Sequence, residues 1–280
     1  VGYRELTPEE QKVVVNRGTE PPFSGRYCEF FDRGVYLCRR CGRPLYLSEH
    51  KFPCSCGWAS FDDEIPGAVI RRPDPDGHRT EITCAGCAGH LGHVFQGERL
   101  TVKNVRHCVN SLSLTFVPKE DLKRGLFAGG CFWGIQHIMK DLPGVVHSTC
   151  GYCGGTVDYP SYEQVCSGET GHLETVEVLF DPEKISYRDL TRYFLEIHDP
   201  TQKGGQGPDL GDQYRSAIFA VDEEQRKAAE ELLDELRDKG LEPVTEIRPE
   251  ARFWPAEPLH QHYYLRTGSA PYCHRRVARF

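Results

Sequence analysis

Only one methionine, Met139, occurs in the 280 residues of this chain. A protein working among oxidants gains from lacking oxidisable thioethers, but so low a count also arises by chance and carries little weight. Long apolar runs are missing as well. The strongest hydrophobic stretches last a handful of residues, which excludes a membrane-spanning helix and leaves no secretory signal at the start. Clustered lysine and arginine are absent: 41 acidic residues outnumber 34 basic ones, the net charge is −7, and positive charge is scattered. That pattern argues against a nucleic-acid surface, which needs concentrated cations facing phosphate. No internal repeat is present. The chain opens at Val1 and not at Met, so the expectation is a trimmed N-terminus. The compartment stays open on this reading, with the cytoplasm as the default and an extracytoplasmic site as the alternative.

Cysteine, in contrast, is abundant. Thirteen cysteines make an odd number, and a composition of 39% apolar residues supports cores that need no staples. Metal ligation and catalysis explain the count better than a secreted disulfide scaffold does. The length fits two domains of about 120 to 160 residues each. Thr7-Pro-Glu-Glu10 matches a capping box with proline at the first helical position. Short strand-like runs follow at 34–37, 43–46, 68–70, 81–83, 93–95 and 111–116, separated by Gly, Pro and Asp turn signals.

The charged segment 117–125 lacks an apolar stripe, as an exposed linker should. We therefore expect domains at 1–117 and 125–280, joined by 118–124. The first should be mainly antiparallel β with a zinc site. The second should be an α+β sandwich with a mixed sheet. Strands are expected at 126–128, 174–180 and 216–221, and helices at 132–140, after Ser186, and at 223–239, ending at Gly240. From about residue 265 the chain is rich in Gly, Ser, Pro and Arg, which predicts a flexible C-terminal tail.

Cys38-x-x-Cys41 and Cys84-x-x-Cys87 have metal-ligand spacing. A Cys-x-x-Cys turn delivers two thiolates from one knuckle, and two knuckles complete a zinc tetrahedron. Four protein ligands leave no open position, so such a metal would be structural. Two redox dithiols, or simply buried thiols, are the rival readings.

In Leu126-Phe-Ala-Gly-Gly-Cys131-Phe-Trp, a strand runs through two glycines into a helix that begins at the cysteine. The partial positive charge of a helix start favours thiolate. Phe132 and Trp133 offer an aromatic wall for an apolar methyl or thioether. Strand alternation puts Glu174 on the face of Val176, Val178 and Phe180. There desolvation would keep the acid protonated and able to donate a proton. The bland alternatives are a buried cysteine in a turn and a glutamate solvated at a strand edge. In the first half, Arg106 and Cys108 share a strand face, His90-Leu-Gly-His93 supplies two imidazoles, and Cys56-Gly-Trp58 a thiol and an indole. Taken singly, each is more often structural.

Together these residues resemble a known family. Gly130-Cys131-Phe-Trp-Gly134, Pro160-Ser-Tyr162, Gly171-His-Leu-Glu174, His198-Asp-Pro200 and Gln206-Gly-Pro-Asp209 through Tyr214-Arg-Ser216 are similar to methionine-S-sulfoxide reductase, the A type, over about 125–275. The resemblance implies that Cys131 attacks the sulfoxide sulfur, Glu174 protonates its oxygen, and Tyr162, Asp209 and Tyr214 hydrogen-bond around it. It makes Phe132 and Trp133 the seat of the substrate methyl, and Cys273 the resolving cysteine. Gln136 departs from an acid common in the family. Cys150-Gly-Tyr-Cys153 is an unusual dithiol, read as buried small residues beside a glycine turn with an auxiliary dithiol as the alternative. Cys166 is read as core.

Residues 3–117, through Cys56-Gly-Trp58, His90-Leu-Gly-His93, Arg106-His-Cys108-Val-Asn110 and both knuckles, resemble methionine-R-sulfoxide reductase, the B type. That likeness implies Cys108 as nucleophile, Cys56 as resolving thiol, and a pocket of Trp58, His90, His93, Arg106 and Asn110. Ala59 departs from a common proline, and Cys54 competes with Cys56 for the resolving role. The implied protein is a fused repair enzyme that reduces both epimers of methionine sulfoxide, in proteins or free. It would use structural zinc, no organic cofactor, and thioredoxin or a similar dithiol as reductant. A zinc-stapled redox sensor, or a thiol peroxidase or disulfide reductase, are the rivals.

Overall fold

A computed structural model describes residues 3–74 and 77–280. The chain divides into two units, Val1–Asp121 and Leu122–Phe280.

The first unit opens with α1 (Pro8–Val14), capped by Thr7 in the expected box: the Thr7 side chain accepts from the Glu10 N–H while Glu10 accepts from the Thr7 N–H. Eight strands follow: β1 (Gly34–Cys38), β2 (Pro44–Leu47), β3 (Ala59–Phe61), β4 (Val69–Pro73), β5 (Thr80–Cys84), β6 (His90–Gln96), β7 (Val105–Val109) and β8 (Leu114–Pro118). They form a three-stranded sheet, β2-β1-β8, and a five-stranded sheet, β3-β7-β6-β5-β4. All the pairings are antiparallel. Buried aromatics link the sheets, with Phe61 stacked on Tyr46 at 4.4 Å and edge-on to Tyr36 at 5.0 Å between centroids. The strand expected from Ser111 begins only at Leu114. Ser111–Ser113 is a 3-10 turn whose Ser111 and Leu112 N–H groups donate to the buried Glu20 carboxylate. Gly92 has φ +153°, and a Cβ there would meet the Cys108 carbonyl oxygen at 2.0 Å. Only glycine lets β6 pass this close to the strand carrying Cys108.

The second unit contains β9 (Lys123–Gly129), α2 (Phe132–Met139), β10 (Val145–Cys153), α3 (Tyr162–Cys166), β11 (Leu173–Phe180), α4 (Tyr187–Ile197), the hairpin β12 (Gly205–Gln206) and β13 (Asp209–Leu210), β14 (Ser216–Ala220), α5 (Glu223–Asp238), β15 (Glu246–Pro249), β16 (Phe253–Pro255) and α6 (Tyr263–Thr267). Its six-stranded sheet has the order β15-β14-β9-β11-β10-β16. It is mixed, because β14 pairs β15 in parallel and the other neighbours are antiparallel. Alternation along β9 splits the core: Phe127 packs with residues of α2, α4 and α5, while Leu126 and Ala128 join Leu173, Ala217 and Phe219 in a smaller cluster. Regular structure enters the segment expected as linker from both sides, because Val117 and Pro118 pair with β1 and Lys123 to Gly125 pair with β11.

Cys150 and Cys153 lie in the nine-residue strand β10, which ends beside the expected glycine turn, where Gly154 has φ +82°. Both are fully buried, one in each core cluster. Three residues apart on a strand, they point to opposite faces, which excludes an auxiliary dithiol. Cys166 differs from expectation: it is exposed at the end of α3, since the apolar contact of this one-turn helix is made by Val165. Among the described residues no helix is long and apolar enough to cross a membrane.

Candidate active sites

The first unit gathers the two knuckles. Cys38 ends β1 and Cys84 ends β5, and each chain turns back through the same hydrogen bond, Gly42 N–H to the Cys38 carbonyl and Ala88 N–H to the Cys84 carbonyl, both 2.8 Å. The four Sγ atoms lie within 4.8 Å of one another, with Cys38 to Cys87 at 3.6 Å and Cys41 to Cys84 at 3.5 Å. A tetrahedron with Zn–S bonds of about 2.3 Å has edges of about 3.8 Å. The donors therefore fit a four-thiolate metal site.

The same unit places Cys108 in β7 opposite both Ser60 of β3 and His93 of β6. Cys56 stands beside it: its Sγ lies 3.4 Å from the Oγ of Ser60, the residue that β3 sets directly opposite Cys108. Burial pushes the Cys108 thiol up to about 12, with Cys56 adding to the rise. Arg106 opposes this without prevailing, because its guanidinium is bidentate to Glu98 at 2.7 and 2.8 Å. The lowered thiol expected beside Arg106 is thus not the resting state. Burial also opposes ionisation of Cys56, but bonds to Ser60, the Trp58 backbone and Cys54 outweigh it and lower that thiol.

His90 and His93 are 5.6 Å apart between ring centroids. Glu81 Oε1 holds His90 Nδ1 at 2.7 Å, and His90 Nε2 is buried without a hydrogen-bond partner. His93 Nε2 is bonded to Asp74. Asn110 uses both ends of its amide on backbone, donating to the Leu91 carbonyl and accepting from the Glu20 N–H. Trp58 is likewise anchored, its indole N–H donating to the Glu20 carbonyl at 3.1 Å.

In the second unit, Cys131 is the residue before the first turn of α2, buried just after the two glycines. Glu174 is almost wholly buried and its carboxyl accepts the Phe132 N–H at 3.0 Å. Desolvation raises its pKa to about 8. Cys273 lies against Cys131, and the Cys131, Cys273 and Asp209 side-chain donor atoms are all within 4.8 Å of one another. The neighbouring thiol, then burial, then Glu174 push Cys131 up. The helix start expected to lower it is outweighed. Cys273 is lowered to about 6, first by its bond with Cys131 and then by His274, whose Nδ1 is 3.0 Å from its Sγ.

Tyr162 and Tyr214 are both raised by burial and next by Glu174. Asp209 accepts from the Tyr272 hydroxyl. Trp133 stacks on Tyr263 at 3.8 Å and donates to His260 at 3.2 Å. Gln136 acts in both senses, donating to the Ser148 carbonyl and accepting from the His262 N–H. A carboxylate there could not donate to Ser148, so glutamine suits this clamp on α2.

Residue patterns alone missed Glu20, Glu81, Glu257 and His274. Glu257 accepts both the Tyr152 hydroxyl and the Tyr162 N–H. His274 donates from Nε2 to the Gly129 carbonyl at 2.8 Å. Its position after Cys273 was the one available signal. Glu20 and Glu257 act on groups about 90 or more residues away in sequence, and Glu81 on the His90 ring across the β5–β6 turn.

Paired thiols, one pair beside an acid held protonated by burial, define a thiol-dependent oxidoreductase. Residues 123–280 match the family model for peptide methionine sulfoxide reductase, and residues 6–118 match the SelR domain model. Over 157 residues the chain is 48% identical to the peptide methionine sulfoxide reductase MsrA of Nocardia farcinica, covering 55% of this chain and 90% of that protein. It is 47% identical to an MsrA of Thermus thermophilus over 152 residues, 54% of this chain and 86% of that one. The crystal structure of reduced Mxr1 from Saccharomyces cerevisiae matches with TM-score 0.54 and 34% identity, over 57% of this chain and 94% of that chain. The chain belongs to the peptide methionine sulfoxide reductase family, with a SelR domain fused N-terminal to the reductase domain.

A Cβ on Gly134 would lie 2.2 Å from His274 Nδ1. Gly134→Ala should therefore lift the tail from α2 and slow closure of the Cys131–Cys273 disulfide by about tenfold or more. Mass spectrometry of quenched single turnovers measures it; an unchanged rate would mean that His274 does not seat Cys273.

Proposed function

We propose that the two units reduce the two epimers of methionine sulfoxide, the SelR unit the R form and the other unit the S form, in proteins or as the free amino acid. The observation that carries this reading is that each unit sets a second cysteine near the candidate nucleophile: Cys273 Sγ within 4.8 Å of Cys131 Sγ, and Cys56 Sγ 3.4 Å from the Ser60 hydroxyl that faces Cys108 across β3 and β7. One enzyme serves each epimer, so covering both takes two chiral pockets. The working division is 1–117 and 125–280, with 118–124 as connector.

In the second unit the Cys131 thiolate attacks the sulfoxide sulfur while Glu174 gives its proton to the oxygen. The methionine thioether leaves, and the oxygen stays on Cys131 as sulfenic acid. Cys273 then attacks that sulfur, water departs, and a disulfide remains. His274 Nδ1 is placed to take the Cys273 proton. Tyr162, Asp209 and Tyr214 hold the oxygen and the substrate backbone, and Phe132 with Trp133 the methyl. In the first unit Cys108 is the nucleophile and Cys56 resolves it, within a pocket of Trp58, His90, His93, Arg106 and Asn110. The unpartnered His90 Nε2 suits a bond to the substrate oxygen. A dithiol protein such as thioredoxin then reduces each disulfide by exchange, restoring the two thiols and leaving its own pair oxidised.

Each nucleophile is raised by burial and by its partner thiol. Substrate entry must therefore separate the pair, and a tail that shifts during the cycle allows this in the second unit. Zinc in the four-cysteine site would hold the turns after β1 and β5 together and take no part in the chemistry.

Turnover of separated epimers tests the assignment. Cys108→Ser should abolish only R reduction and Cys131→Ser only S reduction; loss of both activities in either variant would refute two independent sites. Glu174 is protonated below its pKa of about 8, so the single-turnover rate on the S epimer should fall as pH rises through 8. Glu174→Gln should lower that rate by roughly a hundredfold or more and remove this descending limb. Cys41→Ser should lose bound zinc by atomic absorption and lower the unfolding midpoint of the first unit, whereas an undiminished zinc content would remove the site from the account.

A further inference from the structure

The thiol pair of the second unit has the makings of a second metal site. Cys131 Sγ, Cys273 Sγ and an Asp209 carboxylate oxygen all lie within 4.8 Å of one another, the same limit that encloses the four cysteines of the first unit. Tetrahedral zinc needs donor-to-donor edges of about 3.8 Å with thiolates, so side-chain shifts of at most about 1 Å suffice. The surroundings are those of a ligand set. Cys131 is buried while Cys273 and Asp209 are half-exposed, which leaves a side from which an ion can enter. The Tyr272 hydroxyl donates to the Asp209 carboxylate at 3.0 Å and orients it. His274 commits its Nε2–H to the Gly129 carbonyl at 2.8 Å, so its Nδ1 lone pair faces Cys273 Sγ at 3.0 Å. A base thus stands ready to take the thiol proton that a cation must displace.

We propose that the reduced form of this unit binds zinc, or another thiolate-preferring divalent cation, through Cys131, Cys273 and Asp209, and that metal binding and sulfoxide reduction exclude each other. Two thiolates and one carboxylate select zinc or cadmium over magnesium or calcium, which favour all-oxygen shells. Binding changes no oxidation state. The ion forms two metal–sulfur bonds and one metal–oxygen bond, one thiol proton passes to His274 and the other to solvent. Coordination draws charge from the Cys131 thiolate and places the ion beside its sulfur, which lowers its nucleophilicity and blocks the approach of a sulfoxide. Conversely, a Cys131–Cys273 disulfide has no thiolate to offer, so oxidation of the pair releases the ion. The site differs in kind from the four-cysteine cluster, because two of its three ligands are the reacting thiols.

Metal binding rests on the geometry of the three ligands, its exclusion of turnover rests on the sulfoxide reading, and the first is tested by a count of bound metal. Reduced full-length chain is titrated with Zn2+ against a chromophoric chelator, and with Cd2+ while the thiolate-to-metal charge-transfer absorbance is followed. Wild type should bind one equivalent more than Cys273→Ser, whose substitution lies on a coil segment outside the core. Cys131→Ser and the chain carrying the Cys131–Cys273 disulfide should lose the same equivalent. Asp209→Asn should weaken it by about tenfold or more, and Cys166→Ser, which removes an exposed thiol of the same unit, should retain it. Zn2+ at this stoichiometry should stop S-epimer turnover, leave R-epimer turnover in place, and be reversed by chelator. Equal metal content in wild type and Cys273→Ser would overturn the proposal, as would an extra equivalent lost in Cys166→Ser. A chain without sulfoxide turnover that still binds the extra equivalent would sink the functional reading and leave the metal site standing.

Discussion

A thiol withdrawn from water, half-buried at Cys108 and buried at Cys131, with a second cysteine beside it is the constraint on which both units turn. Burial alone makes a cysteine inert, because the thiolate loses its hydration. The partner thiol compounds this at Cys108 and at Cys131. The proton is thus held more tightly on Cys108 and Cys131 and less tightly on the neighbour, Cys56 or Cys273.

The rest of each architecture keeps that pair in place. In the first unit Gly92 lets β6 run against the strand of Cys108, while Glu20 ties the loop at Trp58 to the turn after Asn110. In the second, Glu174 receives the Phe132 N–H and so fixes the start of α2 to β11. Gln136 clamps the same helix to β10 and to His262, and Gly134 leaves room for His274. A single carboxyl thus serves packing and chemistry together. Its high pKa is the consequence of sitting where no water can stabilise its charge.

Local chemistry was legible from residue order. The Thr7 and Ser186 caps, the alternation that turns Glu174 inward and the two Cys-x-x-Cys turns each follow from contacts within a few residues. Cys150 and Cys153 are buried as expected, while Cys166 was misread as core. Burial at the end of a one-turn helix cannot be read from a short cysteine-containing stretch, since it depends on what packs against it. Val165 and not Cys166 met the core, and β10 found partners on both edges in β11 and β16.

The sequence by itself determined which side chains are candidates for chemistry and roughly where strands and helices begin, because capping, alternation and metal-ligand spacing are short-range properties. Only the tertiary structure decided the protonation of the thiols and the company they keep. Cys273 approaches Cys131 across 142 residues, Glu20 reaches Ser111 across 91, and Glu257 reaches Tyr162 across 95. Electrostatic shifts follow distance and desolvation in space, which the linear order of residues does not contain.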